Sequence, residues 1–323
     1  MIKGKSLSQL AYEFIAYKKS NGYVYSNAEY YLKLYINHVS TVEGADENLP
    51  TKENVNSMLN KYIEVPGSLY NLSAVLREFS RYLIGRGNLD AYLIPKKRIP
   101  QPKPEPPYFF TDNEIRLFFE ECDNIKPLKT YPGRELILPA LFRMLYCCGL
   151  RCKEARTLKC NDVHLKSRYF DIVQSKGPKN RRIFISHELA DYLSDYDAKI
   201  SDKFPTREVF FPNRYGYPYT KEMVSKNFKR IWHQAFPETI NSGIMIRAYD
   251  FRHHLAYSNL NRWAHEGKDV TAMLPYLMRY MGHSSIKRTL YYFHLVPDFY
   301  GTLLEKSILL EDLIPEVPDE EDI

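Results

Sequence analysis

Six prolines crowd into "PKKRIPQPKPEPP", residues 95–107, and no other stretch limits the fold as sharply. Proline fixes φ and has no backbone N–H, so this run can join neither a helix interior nor a central strand and reads as an extended, semi-rigid connector. The chain is therefore expected to fold as two bodies. At 323 residues it is long enough for both to bury a core.

Residues 1–94 read as a small all-helical domain. Apolar positions recur at helical spacing at Leu7, Leu10, Phe14 and Tyr17, then at Tyr31, Leu34, Tyr35 and His38. Val55, Met58, Leu59 and Tyr62 continue the period, as do Leu72, Val75, Leu76, Phe79 and Leu83, with Gly22, Gly44, Gly67 and Gly85 as punctuation.

The second domain, 108–302, opens on "TDNE", where Thr111 and Glu114 predict a capping box. An apolar helix, "ELILPALFRMLYCCG", ends at Gly149, and "LRCKEARTL" follows as a turn or helix. The period then changes: "RYFDIVQ" and "RRIFIS" are β-type runs joined by the turn residues of "SKGPKN". "SKNFKRIWHQAF", "DFRHHLAYSNL" with Asp250 as its cap, "LPYLMRYMG" and "SSIKRTLYYFHL" return to helix. The expected fold is mainly α with one small antiparallel β-sheet. Residues 303–323 form an arm and an acidic tail; the apolar face of "LLEKSILLEDLIP" docks either on a neighbouring subunit or on its own domain.

The net charge of +6 hides an asymmetry. Residues 305–323 carry eight acids against Lys306, which leaves about +13 on the rest of the chain. A basic body with an acidic tail fits a polyanion-binding surface. Lys96, Lys97, Arg98 and Lys103 of the connector, and Lys179 and Arg181 at the hairpin, are the candidate contacts to the phosphates of such a polyanion. The five cysteines show neither a disulfide framework nor metal-ligand spacing, and no metal or other cofactor is expected. The N-terminus lacks a signal-like apolar region and no long apolar run occurs, so a cytoplasmic protein without a membrane span is expected.

Taken singly, the polar residues have ordinary explanations. Arg151 and Glu154 make an i,i+3 pair, Lys176 tips a hairpin, and His253 and His254 suit a helix surface or core. Arg252 is less ordinary, since a cation at a helix N-terminus opposes the dipole and calls for an anion nearby. Periodicity does not choose between Tyr291 and Tyr292, which flank one apolar stripe of Ile286, Leu290 and Phe293.

Taken in order, "CCGLRCKEARTL", "SKGPKNRRIFIS", "YDFRHH" and "YMGHSSIKRTLYYFHL" resemble the boxes of the tyrosine recombinase, or phage integrase, family. The resemblance spans nearly the whole chain and implies a helical, SAM-like core-binding domain followed by a mixed α+β catalytic domain. It implies that Arg151 and Arg252 are the catalytic arginines, Glu154 a supporting acid, Lys176 the hairpin lysine with Lys179 its rival, and His283 the histidine of the GH box. It also selects Tyr292 as nucleophile, because the family's tyrosine stands nine residues after that histidine, with Thr289 three residues before it. Two departures stand out. Tyr249 occupies the position where the family commonly has histidine, and the 31 residues from Arg252 to His283 exceed the usual spacing, with "RWAHEGKD" as the expected insertion.

The chemistry suits these residue types. Attack on a DNA phosphate without metal or ATP requires fixed cations around the transition state, and bidentate arginines supply them while lowering the pKa of a nearby phenol. The resemblance therefore implies a site-specific recombinase, integrase or transposase of a mobile element that cuts double-stranded DNA at a recombination site through a 3′-phosphotyrosine. It further implies a homo-tetramer on synapsed DNA and an accessory DNA-bending or directionality factor. The rival readings are a type IB topoisomerase-like relaxing enzyme and a catalytically inactive DNA-binding regulator.

Overall fold

The structure is a computed structural model that describes residues 5–42, 49–96, 99–101, 106–173 and 180–283. The chain divides into two compact units, 1–105 and 106–323, and the division falls inside the proline-rich run.

The first unit is four helices: α1 (Leu7–Ser20), α2 (Ser26–Val42), α3 (Lys52–Asn60) and α4 (Pro66–Ile84). Local chemistry starts each of three: Ser6 with Gln9 and Thr51 with Asn54 form capping boxes, and Pro66 occupies the first turn of α4. Phe14, Leu32, Tyr35, Val55, Leu72, Leu76 and Phe79 fill the core, and the Tyr35 hydroxyl donates to Asn54 Oδ1 at 2.6 Å. Gly67 lies inside α4 rather than between helices. It sits in the first turn, where the backbone is least committed to internal hydrogen bonds.

The second unit wraps around α6 (Arg134–Cys148), which is buried along Ile137, Leu138, Ala140, Leu141, Phe142, Met144 and Leu145. A helix apolar on so many sides belongs at the centre of a domain. Before it lies α5 (Asp112–Asp123), opened by the expected Thr111–Glu114 box, and after it comes the short α7 (Cys152–Arg156). A three-stranded antiparallel sheet follows, β1 (Val163–His164), β2 (Tyr169–Ile172) and β3 (Arg181–Phe184), with Phe170 opposite Ile183. The chain continues through α8 (His187–Lys203), α9 (Lys221–Ala235), α10 (Asp250–His265) and α11 (Val270–Met281). The core is an aromatic knot in which Phe118 lies 5.1 Å from Phe228 and 5.5 Å from Phe251, ring centre to ring centre. A satellite cluster, Leu260, Trp263, Leu274, Leu277 and Met281, joins α10 to α11.

Two expectations change here. Asp250 is the first residue of α10 rather than its cap; buried, its carboxylate accepts from Arg247 N at 2.8 Å and Arg247 Nη2 at 2.9 Å, closing the turn before the helix. Half of "RWAHEGKD", which sequence alone would leave as a loop, is helix: α10 runs through "RWAH" to His265, Gly267 follows with φ +67°, and a short link leads to α11, capped by Asp269.

Candidate active site at the C-terminal end of α11

Arg151 reaches its position because the chain turns sharply at Gly149. That residue caps α6 in the left-handed region (φ +56°), and a Cβ there would come within 2.7 Å of Leu255 Cδ2, so glycine is required twice over. Leu150 then points inward, and Arg151 becomes the N-cap of α7 with its side chain 19% exposed.

Glu154 sits in the first turn of α7 and is buried. It accepts from Arg151 N at 2.9 Å and Arg151 Nη1 at 2.7 Å, and from Arg181 Nη1 and Nη2 at 2.9 and 2.8 Å. Burial by itself would push this carboxyl up, but the bonds and charge of Arg181, joined by Arg151, outweigh it and hold the pKa at about 2.

Three arginines converge on the end of α11, each on its own carbonyl. Arg181 Nε donates to Tyr280 O at 2.9 Å, Arg252 Nη2 donates to Met281 O, and Arg151 Nη2 donates to Gly282 O at 2.7 Å. Arg252 also donates to Gly149 O, the C-cap carbonyl of α6, at 2.6 Å. The last carbonyls of a helix lack internal donors and carry the negative end of its dipole, so guanidinium groups satisfy both deficits. These contacts account for Arg252 at the start of α10: buried at 1% exposure, it is held by the C-terminal ends of two other helices.

Gly282 ends α11 in the left-handed region (φ +64°), with His283 N bonded back to Met278 O at 3.0 Å. A Cβ on Gly282 would lie 2.9 Å from Arg181 Nη1, so the arginine packs flat against a bare backbone. This turn delivers His283, 8% exposed, beside the arginines. Arg151, Glu154, Arg252 and His283, far apart in the chain, are thus assembled around one helix terminus.

Tyr249, in the place of the family's histidine, is 39% exposed and stands edge-on to His253 at 5.0 Å. His253 is held to about 4, first by burial and then by the charges of Arg247 and Arg252, so it is neutral near pH 7. His254 is a core histidine, stacked on Tyr146 and bonded to Ser258 Oγ at 3.2 Å.

Arg181 is not presented as the DNA contact expected of it: its side chain is 8% exposed and its guanidinium is engaged by Glu154 and Tyr280 O. The sequence did hold the signal. Alternation along β3 puts Arg181 on the same face as the buried Ile183, while Arg182 faces outward, pairs with Asp171 at 2.9 Å and stacks on Tyr169. Lys96 is exposed in the first unit. Lys97, Arg98, Lys103, Lys176, Lys179, Thr289, Tyr291 and Tyr292 lie outside the described residues. Among the described residues, no helix is long and apolar enough to cross a membrane, and no group of three or more His, Cys, Asp and Glu side chains is placed to hold a metal ion.

Comparison with known proteins identifies the family. A protein of Sinorhizobium fredii named "Putative integrase/recombinase y4rE" is 25% identical over 312 residues, covering 94% of this chain and 96% of its own length. The tyrosine recombinase XerD of Lacticaseibacillus casei is 26% identical over 235 residues, 72% of this chain and 73% of its own. Among solved structures, the Tn1549 transposon integrase in complex with transposon right end DNA superposes with a TM-score of 0.61 at 16% identity, covering 89% of this chain and 94% of that one, a likeness of fold. The phage integrase family model matches residues 109–298, more than half of the chain, a span that contains Arg151, Glu154, Arg252 and His283. The chain therefore belongs to the phage integrase family and is a tyrosine recombinase, an enzyme of DNA strand breakage and rejoining.

Proposed function

We propose that this enzyme is a site-specific recombinase of a mobile element that cleaves and rejoins duplex DNA through a covalent 3′-phosphotyrosine on Tyr292. The observation that carries the reading is the convergence of Arg151, Arg252 and His283 on the C-terminal end of α11, with Glu154 fixing Arg151 from behind. In this reading the two arginines bind the non-bridging oxygens of the scissile phosphate. A preorganised donor of this kind is worth about 3–4 kcal/mol of transition-state stabilisation.

The Tyr292 phenolate attacks phosphorus and the P–O5′ bond breaks. The departing 5′-oxygen takes its proton from Lys176, a general-acid contribution of roughly 10²–10⁴ in rate. The phosphotyrosine conserves the bond energy, so the 5′-hydroxyl of a second strand displaces the tyrosine and restores a phosphodiester. Tyr249, with its phenol exposed, supplies a neutral hydrogen-bond donor where the family commonly has an imidazole. The active assembly is a homo-tetramer on two synapsed sites.

The test is to incubate the protein with two distinguishable duplexes carrying its ends or core site. Strands joined from both duplexes support the recombinase. Relaxation of supercoiled plasmid without joined strands would replace it with a topoisomerase-like enzyme, and binding without cleavage would replace it with a regulator.

A further inference from the structure

A second cationic site lies in the catalytic unit, away from the end of α11. It is a cavity of about 280 Å³ lined by Arg134, Arg214, Lys226 and Arg230 together with Tyr219 and Asn227. Three segments supply the charges. Arg134 is the first residue of α6, Arg214 stands on the turn before α9, and Lys226 and Arg230 lie one turn apart on α9.

No carboxylate lines the cavity, and none of the four cations pairs with a carboxylate among the described residues. Glu135, next in sequence to Arg134, lies 3.8 Å from Lys203 and acts on Arg134 only as a nearby charge, not as an ion-pair partner. Arg134 Nε is buried with no acceptor among the described residues. Arg214 is positioned by aromatic faces, 4.9 Å from the Tyr131 ring centre and 4.5 Å from that of Tyr215, contacts that orient a guanidinium without neutralising it. Four cations from three segments around one cavity, with Glu135 behind Arg134 as the one carboxylate charge felt there among the described residues, leave an excess of positive charge that suits an anion.

The surroundings distinguish a polymer from a small ion. The basic surface continues beyond the cavity, because α9 also exposes Lys221 and Lys229 against Glu222 alone. The adjoining turn presents Tyr215 at 66% and Tyr217 at 70% exposure, flat faces suited to sugars or bases beside a phosphate. We propose that Arg134, Arg214, Lys226 and Arg230 form a second phosphate-binding site that grips the DNA backbone away from the scissile bond, setting where the catalytic unit sits on the duplex. The proposal rests on the recombinase reading above but not on its chemistry.

The experiment measures binding of the full-length chain to a 30-base-pair duplex of random sequence as a function of salt. Each phosphate neutralised contributes about 0.9 to the slope of log affinity against log salt. Arg134→Gln with Arg214→Gln should lower that slope by about 1.8, while Lys199→Gln, an exposed cation on α8, should leave it unchanged. An unchanged slope in the double variant overturns the site, and so does an equal fall in the Lys199 control, which would mean a general charge effect. Inorganic phosphate substituted for chloride at constant ionic strength is the second arm: stronger displacement of DNA from the wild type than from the double variant is expected, because the ion competes for cations the backbone uses, whereas equal displacement from both would mean that DNA does not occupy this site and overturns the proposal. Cleavage is read separately. Covalent adduct formation with an unchanged slope removes this site and leaves the recombinase intact, whereas a lowered slope without adduct does the reverse.

Discussion

Replacing Arg181 by alanine should disable an enzyme whose DNA-facing surface is left alone. The substitution removes both hydrogen bonds from Arg181 to Glu154, at 2.9 and 2.8 Å, and the one to Tyr280 O at 2.9 Å. With side chains 8% and 5% exposed, the pair is shielded from solvent, and breaking a buried pair from one side typically costs about 3–5 kcal/mol. Linkage gives a similar figure. The Glu154 carboxyl falls from 4.5 to about 2 on folding, worth about 3 kcal/mol at 1.36 kcal/mol per unit. Because the folded value is depressed, that stabilisation is present above about 4.5 and lost as pH falls toward 2. For a domain of this size, Tm should drop by about 6–20 °C. Glu154→Gln combined with Arg181→Met removes both charges of the buried pair and should recover part of the loss, the remainder reflecting Arg151, which keeps Gly282 O but loses its carboxylate. On a cleavage substrate, Arg181→Lys should keep the binding affinity and lower the cleavage rate at saturating DNA, because one ammonium cannot hold Glu154 and Tyr280 O in the guanidinium geometry. An alanine variant within about 1 kcal/mol of wild type, or a lysine variant that cleaves at the wild-type rate, would refute the account of how this site is held.

Other consequences are simpler to test. Gly282→Ala should cost about 1–2 kcal/mol for the left-handed backbone and also displace Arg181, so cleavage should fall further than thermal stability accounts for. His253, depressed to about 4 in the folded protein, makes stability decline as pH falls from about 6.5 to 4, because the unfolded chain takes up the proton first; His253→Gln should flatten that part of an acid unfolding curve, read by circular dichroism. Gly149→Ala should be among the most damaging single changes near the site, and Leu255→Ala in the same chain should relieve the clash but not the backbone strain, restoring part of the Tm.

The sequence showed most where one principle acted alone. Proline chemistry marked the connector, helical periodicity found α1 to α4, the Thr111–Glu114 box placed the start of α5, and an apolar run ended by Gly149 marked α6. Helix α8 was overlooked although Leu189, Leu193, Tyr196 and Ile200 carry its period, and β1 is too short to carry one. The candidate site residues came from the order of their boxes, since each had an ordinary local explanation. What the sequence could not show was the partner of each group. Arg252 called for an anion, yet it is met by carbonyls at Gly149 and Met281, and Arg181 passed for a surface cation while holding Glu154. Such pairings join residues 27 to 131 positions apart, and only the packed fold brings them together.

The central claim is that Tyr292, and not its neighbour Tyr291, becomes joined to DNA. A nicked duplex that loses a short strand on cleavage should trap the intermediate. Digestion and mass spectrometry should place a 3′-phosphonucleotide on Tyr292, with the adduct abolished in Tyr292→Phe and retained in Tyr291→Phe. An adduct on Tyr291, an adduct that survives Tyr292→Phe, or cleaved DNA ending in a free phosphate with no protein attached would contradict it.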